Sequence, residues 1–241
     1  VMLNNILEKL NTIINISNDF LWTYVLIAPL ILLGLYFTFK TNFVQFRYIK
    51  EMFRLLTDGA TSKKEKGSVS SFQAFCISTA SRVGTGNLAG IAIAISVGGP
   101  GAIFWMWLIA LIGAASSFVE STLAQIYKEK DGNGAFRGGP AYYIEKGLNK
   151  KWMGVLFSIL ITISFGLIFN SVQSNTISIA MNEAFGFDRL TVGIILMILT
   201  IAIIIGGVQR VAKVSGIIVP VMAVLYILVS LFVIIKNIGE V

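Results

Sequence analysis

The densest run of potential chemistry in the chain is Ser81-Arg82-Val83-Gly84-Thr85-Gly86-Asn87. Two glycines frame Thr85, and glycine weakens a helix interior by about 1 kcal/mol each. Ser, Thr and Asn side chains offer bonds that compete with the helical ladder. Together they favour an unwound turn flanked by two half-helices. Such a turn does two things. Carbonyls released at the end of the first half-helix, around Ala80 to Val83, can coordinate Na⁺. Amides at the start of the second, around Thr85, Gly86 and Asn87, can bind a carboxylate with help from the helix dipole. A competing reading is a Gly/Ala-rich helix packed closely on its neighbours, which Gly86, Ala89, Gly90, Ala92 and Ala94 also suit.

Other chemistries are excluded by composition. The chain has no His, and Cys76 is its only cysteine. Disulfide frameworks, Cys/His metal sites and His-dependent catalysis fall away, and Cys76 reads as a small core residue. Gly84, Gly86 and Gly90 are spaced GxGxxxG, which is not a dinucleotide fingerprint. The run Gly132–Pro140 lacks the Gly-Lys-Ser/Thr ending of a phosphate loop. No nucleophile–base pair and no paired carboxylates are visible, so no enzyme is expected. Two further polar features lie in apolar surroundings. Arg82 and Glu120 fall at similar depth, roughly 12–15 Å from the ends of their helices at 1.5 Å per residue. Charges there are costly alone, so an ion pair is expected, either as a fixed brace or as a gate. Asn170, Gln173 and Asn175 interrupt a long apolar run; an interhelical hydrogen-bond clamp is the plainest reading of them.

The elements that must carry these residues follow from hydropathy. Of 241 residues, 56% are hydrophobic and 13% are charged, and mean hydropathy is +0.81. A soluble domain carries about 25% charged residues. Apolar runs reach the roughly 20 residues needed to cross a bilayer, which predicts spans near 21–39, 72–97, 101–127, 153–184, 190–207 and 214–235. Amphipathic spacing at 3–18, 43–56 and 141–148 predicts helices lying on the membrane surface. The net charge of +7 could point to nucleic acid, but its distribution argues otherwise. Basic residues concentrate in three loops, 40–71, 128–151 and 208–213. Six alternating spans place all three loops on one side, which the positive-inside rule makes cytoplasmic. Both termini then face outward. Trp105 and Trp107 suit the outer interfacial belt. Gly206-Gly207 followed by Gln209-Arg210 reads as a helix end capped by basic side chains.

The run Ala80-Ser-Arg-Val-Gly-Thr-Gly-Asn-Leu-Ala-Gly-Ile-Ala closely resembles the alanine/glycine:cation symporter family, the sodium:alanine symporters. So do Gly98-Gly-Pro-Gly-Ala-Ile-Phe-Trp-Met-Trp107, Glu120-Ser-Thr-Leu-Ala-Gln-Ile-Tyr127 and Gly138-Gly-Pro-Ala-Tyr-Tyr-Ile144. Asn170-Ser-Val-Gln-Ser-Asn175 resembles the family's Gly-Asn-x-x-Gln-x-Asn motif, with Phe169 in place of its Gly. The resemblance implies an all-α, polytopic transmembrane bundle. One extra helix would precede the first five-helix repeat of a leucine-transporter-like fold. It implies substrate contacts at Thr85, Gly86, Asn87 and Gln173, and sodium held by the backbone carbonyls of Ala80 and Val83. It also implies Na⁺-coupled symport of alanine or glycine across the plasma (inner) membrane, with no cofactor beyond the coupling ion. Family members are about twice as long, so this chain is expected to be an N-terminal half whose second repeat belongs to a missing segment or chain. The alternative is a non-transporting membrane subunit or channel-like protein using the same broken helix without coupling. Saturable, Na⁺-dependent flux separates the first from the second.

Overall fold

The computed structural model describes residues 2–61, 69–130 and 136–239. Lys63, Lys64, Lys66 and the first part of the Gly132–Pro140 run fall outside the described residues. The rest is helical apart from a short hairpin, Glu129–Lys130 (β1) against Phe136–Arg137 (β2), paired antiparallel. The chain is an all-α multi-pass membrane protein; among the described residues, four helices are long and apolar enough to span a bilayer.

The first helix differs from expectation. α1 (Met2–Phe20) was expected to lie on the membrane surface, apart from a span at 21–39. Instead it runs without a turn through a π-helical segment, Leu21–Ile27, into α2 (Ala28–Lys40). No helix breaker separates the two parts. Pro29 has no N–H to donate and its ring crowds the preceding turn. The wider π turn just before it absorbs that defect. The apolar stretch Leu7–Lys40 covers 34 residues, about 50 Å at 1.5 Å per residue.

The span expected at 153–184, with its polar run at 170–176, is likewise continuous. α9 (Lys151–Ile163), a π-helical turn at Ser164–Phe169 and α10 (Asn170–Phe185) form one 35-residue helix. Its polar residues do not break it, because they bond back to the preceding turn. Asn170 Nδ2 donates to the Gly166 carbonyl at 3.1 Å, Ser171 Oγ to Leu167 at 2.7 Å and Thr176 Oγ1 to Val172 at 2.9 Å. Irregularity is confined to the π turn just before them.

The expected surface helix at 43–56 is two pieces, α3 (Val44–Arg47) and α4 (Ile49–Thr61), divided at Tyr48. α7 (Gly101–Ile126) and α8 (Pro140–Leu148) match the sequence reading closely. α11 (Arg189–Ile204) and α12 (Gly207–Lys236) are joined by a turn of two residues, so 208–213 is helix rather than loop. Gly207 takes φ 67°, the left-handed region that glycine enters freely. Arg210 Nη1 donates to the Ala202 carbonyl at 2.8 Å and caps the end of α11.

Two close helix pairs organise the bundle. α2 lies on α7 through Gly34, where an added Cβ would stand 3.0 Å from the Ile112 carbonyl oxygen and closer still to its side chain. Gly34, Thr38 and Ala115 are buried at this contact. The second pair is α5 (Ser71–Arg82) on α12. Cys76 is 1% exposed, and Ala212 and Val219 on α12 are also buried. Small residues allow backbones to approach where lipid provides no hydrophobic drive for helix association.

Candidate functional site

α5 starts from a capping box. Ser70 accepts from the Gln73 N–H at 3.2 Å, and the Gln73 side chain accepts from the Ser70 N–H at 3.4 Å. This fixes the start of the half-helix that carries Ala80, Ser81 and Arg82. The helix ends at Val83, whose φ −98° and ψ 109° are extended. A π-helical turn, Gly86–Gly90, then leads into α6 (Ile91–Gly98). The helix is therefore broken at Val83-Gly84-Thr85, inside the run that the sequence singled out.

The break redirects three amides. In an unbroken helix Gly84 would donate to the Ala80 carbonyl, Thr85 to Ser81 and Asn87 to Val83. Here the Gly84 N–H donates to Asn87 Oδ1 at 3.0 Å, and the Thr85 N–H to Gln173 Oε1 at 3.1 Å. The Asn87 N–H turns to the Gly84 carbonyl at 3.0 Å. The carbonyls of Ala80 and Val83, expected as cation ligands, thus lose their helical donors. Among the described residues no group of three or more His, Cys, Asp or Glu could hold a metal. Any cation at the break would meet neutral oxygens, which suit a weakly held, exchangeable ion.

Gln173 comes from α10, far away in sequence, and its side chain crosses to the break. It is half-buried, as is Thr85. The approach is close enough that a Cβ on Gly84 would stand 2.7 Å from Gln173 Nε2. Gly84 is thus a space requirement and not only a helix breaker, a reason its type alone did not disclose. Gln173 also lines an open groove of about 870 Å³ between α10 and α11, together with Asn170, Ser174, Asn175 and Thr200. Gly86 lies at the start of the second half-helix with open space around its Cα. Thr85, Gly86, Asn87 and Gln173 are therefore brought together. Asn87, however, spends its carbonyl oxygen within the break.

Arg82 and Glu120 do not form the expected ion pair. The Arg82 guanidinium donates through Nη2 to Ser117 Oγ at 2.9 Å, one turn before Glu120 on α7. On α8, burial, and then the Glu120 charge, push the Tyr143 hydroxyl pKa above its ordinary value. Sequence depth alone could not separate two partners one helical turn apart. Ser117 was missed for that reason. Its only signal was a hydroxyl on the same face of α7 as Glu120, three residues away.

The fold and this site define an all-α multi-pass membrane bundle with one broken helix. The profile of the sodium:alanine symporter family matches residues 7–241. The chain belongs to that family, whose named members are transporters rather than enzymes. It is 63% identical over 97% of its length to a probable sodium/glutamine symporter, GlnT, of Bacillus subtilis. It is 60% identical over 95% to the amino-acid carrier protein AlsT of the same organism. It is 39% identical over 95% to the sodium/alanine symporter AgcS of Methanococcus maripaludis. These matches cover 48%, 48% and 51% of the relatives, so the chain spans about half of their length.

Proposed function

We propose that this chain supplies one half of a sodium-coupled carrier for a small neutral amino acid. The observation that carries the reading is the Gln173 bridge to the Thr85 amide across the broken helix. A carboxylate needs N–H donors at the start of a half-helix, and the break offers Thr85, Gly86 and their neighbours. Gln173 Oε1 lies on the Thr85 N–H, where a carboxylate oxygen would lie. Substrate binding would displace this oxygen, freeing the Gln173 amide to hold the substrate in turn. The coupling ion would rest on the carbonyls of Ala80 and Val83, whose helical donors are diverted. An ion gradient supplies the energy, since no nucleotide motif is present.

Alanine fits the family description, and glycine is the other substrate that the sequence resemblance implies. The name of the Bacillus relative adds glutamine as a candidate substrate. The basic segments 40–71, 128–151 and 208–213 would face the cytoplasm, the termini would face outward, and the plasma membrane would be the site of action. The remaining half of the cavity would come from a polypeptide matching the other half of the relatives.

Uptake of labelled alanine, glycine and glutamine into vesicles tests this, with the chain alone and with that second polypeptide. Saturable uptake that requires Na⁺ and both halves supports the proposal. Conductance without saturation would favour a channel-like role, and Na⁺-dependent uptake by this chain alone would refute the half-carrier reading.

A further inference from the structure

The surface helix α8 and the span α9 enclose a groove of about 520 Å³ that no part of the transport reading uses. Its walls include Ala141 and Tyr142 of α8 and Val155, Ser158, Ile159 and Ile163 of α9. Gly154 sets its width. An added Cβ there would stand 2.7 Å from the Ala141 carbonyl, so the two helices are in close contact at this level. Ser158 and Thr162 donate to the carbonyls of Gly154 and Ser158, which masks their hydroxyls. The wall is therefore effectively apolar along α9.

The mouth is of the opposite character. Lys150 and Lys151 open α9, both are exposed, and neither is in an ion pair among the described residues. Lys151, Val155 and Ile159 follow one another at helical i, i+4 spacing, so one lysine stands directly above the apolar wall. Trp152, 65% exposed, marks the same level as a bilayer interface. From Gly154 to Ile163 the groove descends about 14 Å at 1.5 Å per residue, close to one leaflet of a hydrocarbon core about 30 Å thick. Lys146 is engaged with Glu129 at 2.7 Å and is not part of the mouth. Glu145 lies on the α8 wall and is the one negative charge there.

We infer that this groove is a binding site for one anionic phospholipid. An acyl chain would lie along Val155, Ile159 and Ile163, and the phosphate would sit between Lys150 and Lys151. The match is of charge and of depth together: two cations at the interface, with no ion-pair partner among the described residues, above an apolar slot one leaflet deep.

Native mass spectrometry of the full chain, released from nanodiscs containing phosphatidylglycerol, phosphatidylethanolamine or phosphatidylcholine of equal acyl composition, reads this directly. The expected result is one phosphatidylglycerol retained at least about fivefold over either zwitterionic lipid. The K150Q/K151Q variant should remove that preference, while K236Q at the far end of the chain should leave it intact. A photoactivatable acyl chain on phosphatidylglycerol should cross-link peptides within 154–163, a readout that does not depend on any substitution. Equal retention of the three lipids would overturn the site, as would stronger retention of phosphatidylethanolamine through Glu145. An unchanged preference in K150Q/K151Q, or cross-links spread evenly over all spans, would also overturn it.

Discussion

Gln173 and Gly84 form one unit, because the glycine leaves the space that the glutamine fills. Two substitutions separate space from chemistry. Gly84→Ala places a methyl group against Gln173 Nε2 and should push the side chain off the Thr85 amide. Hydrogen exchange at Thr85 should then quicken, because its N–H loses its acceptor. Gln173→Glu keeps the reach but fixes a negative oxygen on the amide that the substrate carboxylate would use. The KM for amino-acid uptake in the completed carrier should rise at least about tenfold, the effect of losing roughly 1.4 kcal/mol. An unchanged KM would exclude Gln173 from the substrate site. Arg82 makes a separate prediction. Its hydrogen bond runs to Ser117, so a double-mutant cycle between these two should give a coupling of about 0.6 kcal/mol, typical of polar pairs within membranes. The Arg82–Glu120 cycle should give nearly none. Their residue types announced a buried charge problem, but not which hydroxyl or carboxylate would solve it. The sequence reading placed both near one depth, and only the rotation of α5 and α7 decides between neighbours three residues apart.

Helix by helix, the spans were legible wherever hydropathy alone decided them, as for α7 and for the rod at 151–185, expected at 153–184. The continuity of 2–40 was not. A π turn has no hydropathic signature, so nothing in the sequence marks α1 as running on into α2. The real break at Val83–Thr85 was legible because glycines and competing polar side chains coincide there. The start of α5 was also written in the chain, as Ser70-x-x-Gln73, though hydropathy hides it. Ser70→Ala should destabilise that end by about 1 kcal/mol, with faster hydrogen exchange at Gln73. The α5–α12 contact has a convenient reporter, since Cys76 is the only cysteine and is almost fully buried. Ala212→Leu would overfill the facing position, at about 1–3 kcal/mol. Maleimide labelling of Cys76 should accelerate severalfold as the pair is forced apart. Unchanged labelling with intact helicity would mean that Ala212 does not guard the thiol.

The whole molecule is open. Its accessible surface is 18721 Å² for 26.3 kDa, against about 10,600 Å² for a compact fold of that mass. Lipid accounts for exposed apolar side chains, so these alone demand no protein partner. Asn170, Asn175, Arg82 and Asn87 are a different matter, since they are exposed within stretches expected to cross the membrane. Facing lipid, each would keep polar atoms beyond those already bonded out of reach of water, at a cost that membranes rarely tolerate. They cluster around the break and the groove beside α10, not around the outer faces of α2 or α12. A second protein surface, or a water-filled cavity between two halves, is the environment they need. That asymmetry was not readable from composition, because a span's polar residues show their common side only after the helices are placed. It gives the half-carrier reading its own physical test. Cysteines introduced singly at Asn87 and Asn175, in a background where Cys76 is replaced by Ala, should react readily with a water-soluble maleimide when the chain is alone. Co-assembly with the second polypeptide should slow labelling at both positions, while a cysteine at Val224, exposed on α12, should keep its rate. If all three rates are the same with and without the partner, the polar cluster is not the surface that the other half covers.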